Sequence, residues 1–448
     1  MAETTATLDA AKRVDPDYNR HPHGFWFIFW GELAERASFY GMRTLLLLYM
    51  INRLGYSDAN SGTVTQLFTA FCYILPIVGG YIADQWLGKF KTIIYFAIPY
   101  LLGHIILGTF NNEVGLYTAL FLLAGGSGTI KPNISTLMGL MYQKAGKSHL
   151  MTQAFSWFYM AINIGAAATT FTLPFIRDHY GYSAAFMAPT ILMAVALAVF
   201  YMGKKHYPVE EIKRGKDRPI KTHEQKIEDR RVLVRLSGLF LMIVFFWSIF
   251  DQAQSTWTLF ARDYMNLDIS VLSWKWHIPP DAIQSINPVL IVLMTPLFAW
   301  LWGKSDRSEK FRLSSPMKML LGFILVVLCM GTMSIAGYLG VQSRITILWE
   351  VGAYILITMA ELCISVVGLQ LAFEEAPERM KSMITGIYLF TVFLGNILAA
   401  WFARLYTAMS PGSYFGAMTI MIAVVAVIFY FIGRKFDHRV ASGAPRTA

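Results

Sequence analysis

Residues 31–41 read GELAERASFYG and lie inside an otherwise apolar run from about Gly24 to Ile51. A run of that length is enough for a tilted membrane span. Within it stand Glu32, Glu35, Arg36, Tyr40 and Arg43. At roughly 100° per residue, positions 32, 35, 36, 39, 40 and 43 share one helix face of about 140°. The opposite face carries Leu33, Ala34, Ala37 and Leu45, which suit lipid. An ionisable side chain at bilayer depth costs about 3 kcal/mol even on the lenient insertion scale, so such groups gather where they face water or one another. A structural lock between two helices needs one Glu–Arg pair. Two acids, two arginines and a tyrosine on one face read instead as the wall of a solute pathway.

The rest of the chain has the same character. Its 448 residues are 55% hydrophobic and 15% charged, with a mean hydropathy of +0.46. Apolar stretches of span length recur from end to end, which excludes an ordinary soluble domain. The opening stretch, MAETTATLDAAKRVDPDYNRHPHG, is polar, and no cleavable signal peptide is expected. Cys72, Cys329 and Cys363 fall inside apolar segments with no CxxC or Cys/His spacing. They read as reduced packing residues, so neither disulfide nor metal is implied. There is no phosphate-cradling glycine loop and no GxSxG, so no cofactor and no enzyme chemistry are expected. A net charge of +10 would suggest nucleic acid in a soluble protein, but here its distribution speaks to topology.

Twelve spans are predicted, at about 24–52, 58–86, 92–110, 115–142, 149–176, 183–202, 236–262, 280–303, 314–340, 345–374, 380–408 and 412–434. Both termini then lie on one side. Placing them in the cytoplasm puts most of the 38 Lys and Arg residues there, including Lys12, Arg13, Arg20, Lys89, Lys91, Lys144, Lys147, Lys304, Arg307, Lys310, Arg312 and Lys435. The polar stretch Gly203 to Arg231 divides the spans six to six. The expected organisation is a cytoplasmic tail (1–23), a six-helix bundle (24–202), a cytoplasmic linker (203–235), a second six-helix bundle (236–434) and a cytoplasmic tail (435–448). This all-α membrane architecture is that of the major facilitator fold, whose halves rock about a central site near the bilayer midplane. The linker's EQKIEDRRVLVRL end reads as an amphipathic helix on the inner membrane surface.

Several spans carry polar residues far from their ends. Span 2 closes with Asp84, Gly88 and Lys89, resembling the Asp-x-x-x-Gly-Arg/Lys loop of major facilitators. The same span has Tyr73 near Pro76, where a tyrosine reads as packing or as ligand. In span 4, GGSGTIKPNIST places Lys131 too deep to snorkel and puts Pro132 after it, so an acid partner is required, with Glu32 or Glu35 the candidates. In span 5, Ser156, Tyr159 and Asn163 form one polar stripe, equally readable as interhelical glue or as a binder of amides. Span 7 holds Asp251, span 8 Gln284 and Asn287 ahead of Pro288, span 10 Glu361 with Ser365 one turn on, and span 11 Tyr388 and Asn396. A lone carboxylate such as Glu361 asks for a cation, and a ligand's amino group would serve.

Together these segments resemble the proton-coupled oligopeptide transporter (POT or PTR) family. ELAERASFYG is similar to the family's Glu-x-x-Glu-Arg-Phe-x-Tyr-Tyr-Gly motif, GGYIADQWLGKFKTI to its span-2 signature, and FSWFYMAINIGA to its Phe-Ser-x-Phe-Tyr-x-x-Ile-Asn-x-Gly signature. GTIKPNIST, FWSIFDQ and ELCISVVGLQ also resemble family segments, and the likeness runs from about residue 24 to 434. The resemblance implies that Arg36 and Lys131 attract a peptide carboxylate and Glu361 its ammonium. It implies a pocket lined by Tyr40, Tyr73, Asn163, Trp247, Asn287 and Ser365, with Glu32 and Glu35 as proton-coupling acids and Glu32 answering Lys131. Arg43 and Asp251 would pair across an outer gate, and Asp84 would belong to the gate at the other end. Phe39 replaces the first family tyrosine, Ala37 a usual phenylalanine, and Gln66 the proton-linked histidine of animal members, so coupling should rest on carboxylates. The linker lacks room for the two extra helices of many bacterial members, and the short span 9–10 loop lacks the external domain of animal ones. A bacterial inner membrane is the expected location.

The implied partners are di- and tripeptides, protons and membrane lipid, without nucleic acid, and a monomer is expected. The implied activity is inward symport of peptides with protons by alternating access. The competing reading within the fold is a proton symporter of nitrate or another small anion, which would need Arg36 and Lys131 but little from Glu361. A cation-exporting drug antiporter would want net acid in its cavity, and here Arg36, Arg43 and Lys131 balance the acids.

Overall fold

The computed structural model describes residues 18–208, 222–271, 274–307, 313–377 and 380–441. Lys12, Arg13, Lys310, Arg312, the middle of the linker and the end of the C-terminal tail lie outside the described residues. Helices dominate: α1 (His23–Leu54), α2 (Asp58–Ile82), α3 (Lys89–Thr109), α4 (Glu113–Lys144), α5 (Met151–Met202), α6 (His223–Phe250), α7 (Thr256–Tyr264), α8 (Ile286–Arg307), α9 (Ser315–Gln342), α10 (Leu348–Glu361), α11 (Val367–Glu375), α12 (Lys381–Ala408) and α13 (Pro411–Ala441). Short strands β1 (Met265–Asn266), β2 (Asp268–Val271), β3 (Trp274–His277) and β4 (Ile345–Thr346) occupy loops; β2 and β3 form an antiparallel hairpin, and β1 pairs with β4 in parallel.

Among the described residues, ten helical segments are long and apolar enough to cross a membrane. The 32-residue α1 is not one of them, because Glu32, Glu35, Arg36 and Arg43 interrupt its apolar surface. One of the ten, Ser148–His206, covers two predicted spans in one continuous helical stretch. Its break is Gly181, at φ 83° and ψ 172°, a backbone conformation that glycine adopts without steric cost. The predicted boundaries at 176 and 183 straddle that break.

The amphipathic stretch before span 7 differs from expectation. Residues 223–235 are the first turns of α6 itself. Thr222 caps the helix through a reciprocal capping box with Gln225, no proline interrupts the run into the membrane, and Gly238 stays within the helix. Span 7 instead breaks at Asp251, where a 3₁₀ turn over Asp251–Gln254 separates α6 from α7. Span 10 breaks as well: a π turn over Leu362–Val366 follows Glu361 and separates α10 from α11.

Two hydrophobic cores form. One draws on residues from Phe25 to Tyr207. The other draws on residues from Val232 to Phe436, with Leu47 reaching into it. Small residues set the close approaches within each core: a methyl group at Gly165 of α5 would sit 2.6 Å from the Leu33 carbonyl oxygen of α1, and one at Gly395 of α12 would sit 2.5 Å from Trp247 Cβ of α6.

The contacts that join the two cores gather at the end of the bundle holding Leu54 and Asp58, here the distal end. Gln66 of α2 donates to the Asp251 carbonyl at 2.8 Å and to Ser255 Oγ at 2.7 Å, and Thr63 donates to the Ala400 carbonyl of α12 at 3.2 Å. Arg262 donates to both oxygens of Asp58, at 3.2 and 2.8 Å. Arg177 of α5 pairs with Asp281, which stands just before α8 and is fully buried. Trp276 of the hairpin stacks on Phe175 of α5 across the same seam. The distal end is therefore shut.

Candidate functional site

Between the two cores lies a cavity of about 260 Å³, bounded by α1, α2, α4 and α5 on one side and by α6, α8, α10 and α12 on the other. Tyr159 and Leu369, both in its wall, are 38% and 39% exposed, so it opens toward the proximal end, where His23 and Ala441 lie.

Tyr40, Tyr73, Lys131, Asn163, Trp247, Asn287, Glu361 and Ser365 all line this cavity, as do Arg43 and Asp251. The cavity thus brings together a cation from one core and a carboxylate from the other. Lys131 projects from α4 one residue before Pro132, and its ammonium lies over the Tyr73 ring, 4.7 Å from the centroid. Glu361, the last residue of α10, accepts from Asn287 Nδ2 at 3.0 Å, and the same amide nitrogen lies 3.0 Å from Thr358 Oγ1. Asn163 Nδ2 donates to the Tyr159 carbonyl one turn earlier, at 2.9 Å. Ser156 of the same stripe bonds the Thr152 carbonyl at 2.9 Å and is not in the wall.

Arg36, Glu32 and Glu35 do not line the cavity; all three are buried in the first core. One Arg36 nitrogen donates to Glu35 Oε1 at 2.6 Å and to Ser127 Oγ at 3.5 Å, while Nε lies 3.3 Å from Glu32 Oε1. The residues alone left Glu32 or Glu35 as the partner of Lys131, and the family resemblance implied Glu32. In the structure Arg36, one helical turn from Glu32 and adjacent to Glu35, takes both acids, and Lys131 makes no ion pair among the described residues. The same local preference affects Arg43 and Asp251, which share the distal wall without an ion pair. Asp251 accepts from Asn396 at 2.7 Å and from Gln254 at 3.3 Å, while Arg43 stacks over Phe39 and Tyr40. Asp84 stands apart at the proximal end of α2, in a π turn (Ala83–Leu87), where it pairs with Lys89 across Gly88, whose φ is 76°.

Sequence reasoning missed the inter-core pairs Arg177–Asp281 and Asp58–Arg262. Each of the four residues sits at a span end, where charge is ordinary, and nothing in the local pattern announces a partner in the other half. Tyr354 and Gln254, also in the wall, were obscured by their span-end or aromatic surroundings, whereas Gln284, noted beside Asn287, does line it.

A family model described as POT family matches residues 90–222 and 209–421, well over half of the chain. The chain belongs to the POT family. Its membership makes it an integral membrane protein of a transporter family. The uncharacterized transporter YclF of Bacillus subtilis (strain 168) is 26% identical over 469 residues, covering 92% of this chain and 94% of that one. Solute carrier family 15 member 2 of Homo sapiens is 34% identical over 357 residues, covering 69% of this chain and 48% of the relative, so the chain spans about half the length of such solute carriers. A solved POT family transporter in complex with a thioalcohol conjugated peptide is similar over 93% of this chain and 97% of its own, with a TM-score of 0.83 at 22% identity. That likeness shows a shared POT fold.

Proposed function

We propose that this protein is a proton-coupled symporter that imports di- and tripeptides by alternating access. The observation that carries the reading is the placement of Lys131 and Glu361 in one cavity, from opposite cores, neither in an ion pair among the described residues. A zwitterionic peptide has opposite charges several ångströms apart and amides between them. Its carboxylate meets Lys131, its ammonium meets Glu361, and Asn163, Asn287 and the tyrosines take the amides. Side chains rest on Tyr40, Tyr73, Trp247 and Ser365. Membership of the POT family and the peptide in the related solved transporter support the same substrate class.

In this reading Arg36 is held in reserve. While Glu32 and Glu35 are ionised they retain its guanidinium; a proton arriving on either acid frees it toward the peptide carboxylate. Arg36 and Lys131 then hold one end of the substrate together, and the proton travels with the peptide. Arg43 and Asp251 line the cavity beneath the distal gate, and the Asp84 loop acts at the proximal one.

The membrane arrangement belongs to the same proposal. The ten apolar segments, α1, and the division of Ser148–His206 at Gly181 give twelve spans in two six-helix halves, at 24–202 and 236–434, joined by a cytoplasmic linker. Both termini are cytoplasmic by the Lys and Arg distribution, so the cavity described here opens inward. The protein works as a monomer in a bacterial inner membrane. A competition panel in proteoliposomes tests the substrate class: dialanine and trialanine should block uptake of labelled dipeptide at two external pH values, whereas alanine and nitrate should not. Uptake of labelled nitrate with none of labelled dipeptide would replace this reading with anion symport.

A further inference from the structure

We propose that Tyr388 is a positioning residue: its hydroxyl latches the π turn of the tenth span and so aims Glu361 and Ser365 at the cavity. This rests on the peptide reading only where substrate is concerned; the latch itself is a matter of backbone.

A π turn widens the helix by one residue and disturbs its regular hydrogen-bond ladder, which makes it a natural hinge. Here the turn covers Leu362–Val366, directly after Glu361. It is gripped from two sides. On one side Gly322 of α9 allows close approach, since a methyl group there would lie 2.5 Å from Ile364 and 2.9 Å from Cys363. On the other side Tyr388 of α12 donates its hydroxyl to the Ser365 carbonyl at 2.9 Å, with the Ile364 carbonyl at 3.3 Å. Gly368, just past the turn, makes room for that hydroxyl, because a methyl group there would sit 3.0 Å from Tyr388 Oη.

The latch lies between what must stay fixed and what must move. Before the turn, α10 presents Glu361 to Asn287. Beyond it, α11 carries Leu369, 39% exposed, in the cavity wall at the open proximal side. Closing the proximal end requires α11 to swing while α10 holds its carboxylate in place. A side-chain hydroxyl bonded into the ladder at the junction sets the angle between them. Without it, the bend relaxes and the two cavity-facing groups that flank it lose their common aim.

Two readouts on the full-length protein test this. Hydrogen exchange across residues 362–375 should be faster by roughly tenfold in Tyr388→Phe, the loss expected for one hydrogen bond. Gly368→Ala, which displaces the hydroxyl without removing it, should give the same local change. Unchanged exchange in both variants overturns the latch, whether or not the protein carries peptides. In proteoliposomes, wild type should prefer dialanine over N-acetyl-dialanine because Glu361 answers the free ammonium, and Tyr388→Phe should erase most of that preference. A parallel loss for both substrates would mean a general packing role and would also overturn the proposal. If wild type carried neither compound while the exchange result held, the peptide reading would fall and the latch would stand.

Discussion

The Lys131 ammonium rests over the face of Tyr73, from a neighbouring helix, 4.7 Å from the ring centroid. The ring supplies partial compensation for a cation that has no acid partner among the described residues, worth about 1–2 kcal/mol in a desolvated setting. That is less than an ion pair would give, so the ammonium is left ready to take an anionic guest. Lys131→Ala should lower dipeptide uptake by at least about tenfold, because a charge-assisted contact contributes about 1.5–3 kcal/mol. Tyr73→Phe keeps the π face and should change it far less. Equal losses in the two variants would show that the hydroxyl, and not the face, is what matters.

Glu32 and Glu35 hold Arg36 away from the cavity. Replacing either acid with glutamine mimics protonation and weakens that hold. Glu32→Gln and Glu35→Gln should therefore lose gradient-driven uptake while keeping peptide counterflow, in which no net proton movement is required. The acid whose replacement alone uncouples the two assays is the one that titrates. Unimpaired gradient-driven uptake in both variants would remove the span-1 acids from coupling.

The two distal ion pairs differ in burial, and their weights should differ with it. Asp281 is fully buried and Arg177 nearly so; replacing Arg177 strands the Asp281 charge and costs about 3–5 kcal/mol, while replacing Asp281 removes the tie between the cores and leaves Arg177 only its neighbour Asp178, at 2.8 Å. Asp58 and Arg262 are about a third exposed, where a pair contributes about 0–1 kcal/mol. Asp281→Asn should accordingly raise distal labelling of a cysteine placed at Thr63, whereas Asp58→Asn should barely move it. The double exchange Arg177→Asp with Asp281→Arg should restore part of the closure.

The Gly165 contact tests the packing of the first core. A methyl group 2.6 Å from the Leu33 carbonyl forces α1 and α5 apart, and overpacking of this kind costs about 1–3 kcal/mol. Gly165→Ala should lower thermal stability in detergent, and a larger side chain should prevent folding. Gly352, with open space around its Cα, should accept alanine with no comparable loss.

Much of the site was legible because polar residues in apolar spans are conspicuous. Lys131, Asn287 and Glu361 each stand out one by one, and the fold then collects them around one cavity. Partnerships were harder to read. Spacing alone makes Glu32 equally available to Lys131 and to Arg36, and the winner is the one already on its own helix face. Arg177 and Asp281 lie 104 positions apart and meet only when the halves close distally, a tertiary event that local pattern does not encode. The start of α6 was misread for another reason. The charges before span 7 suggested a surface helix, but helix continuity follows from the Thr222 cap and the lack of any proline, and charge does not stop a helix once it has emerged from the membrane.

The most direct measurement is uptake of labelled dialanine into proteoliposomes under an imposed inward proton gradient, with internal pH followed at the same time. Accumulation above equilibrium with matching internal acidification, both abolished in Glu361→Ala, is the predicted result. Uptake indifferent to the gradient and intact in Glu361→Ala would contradict the account.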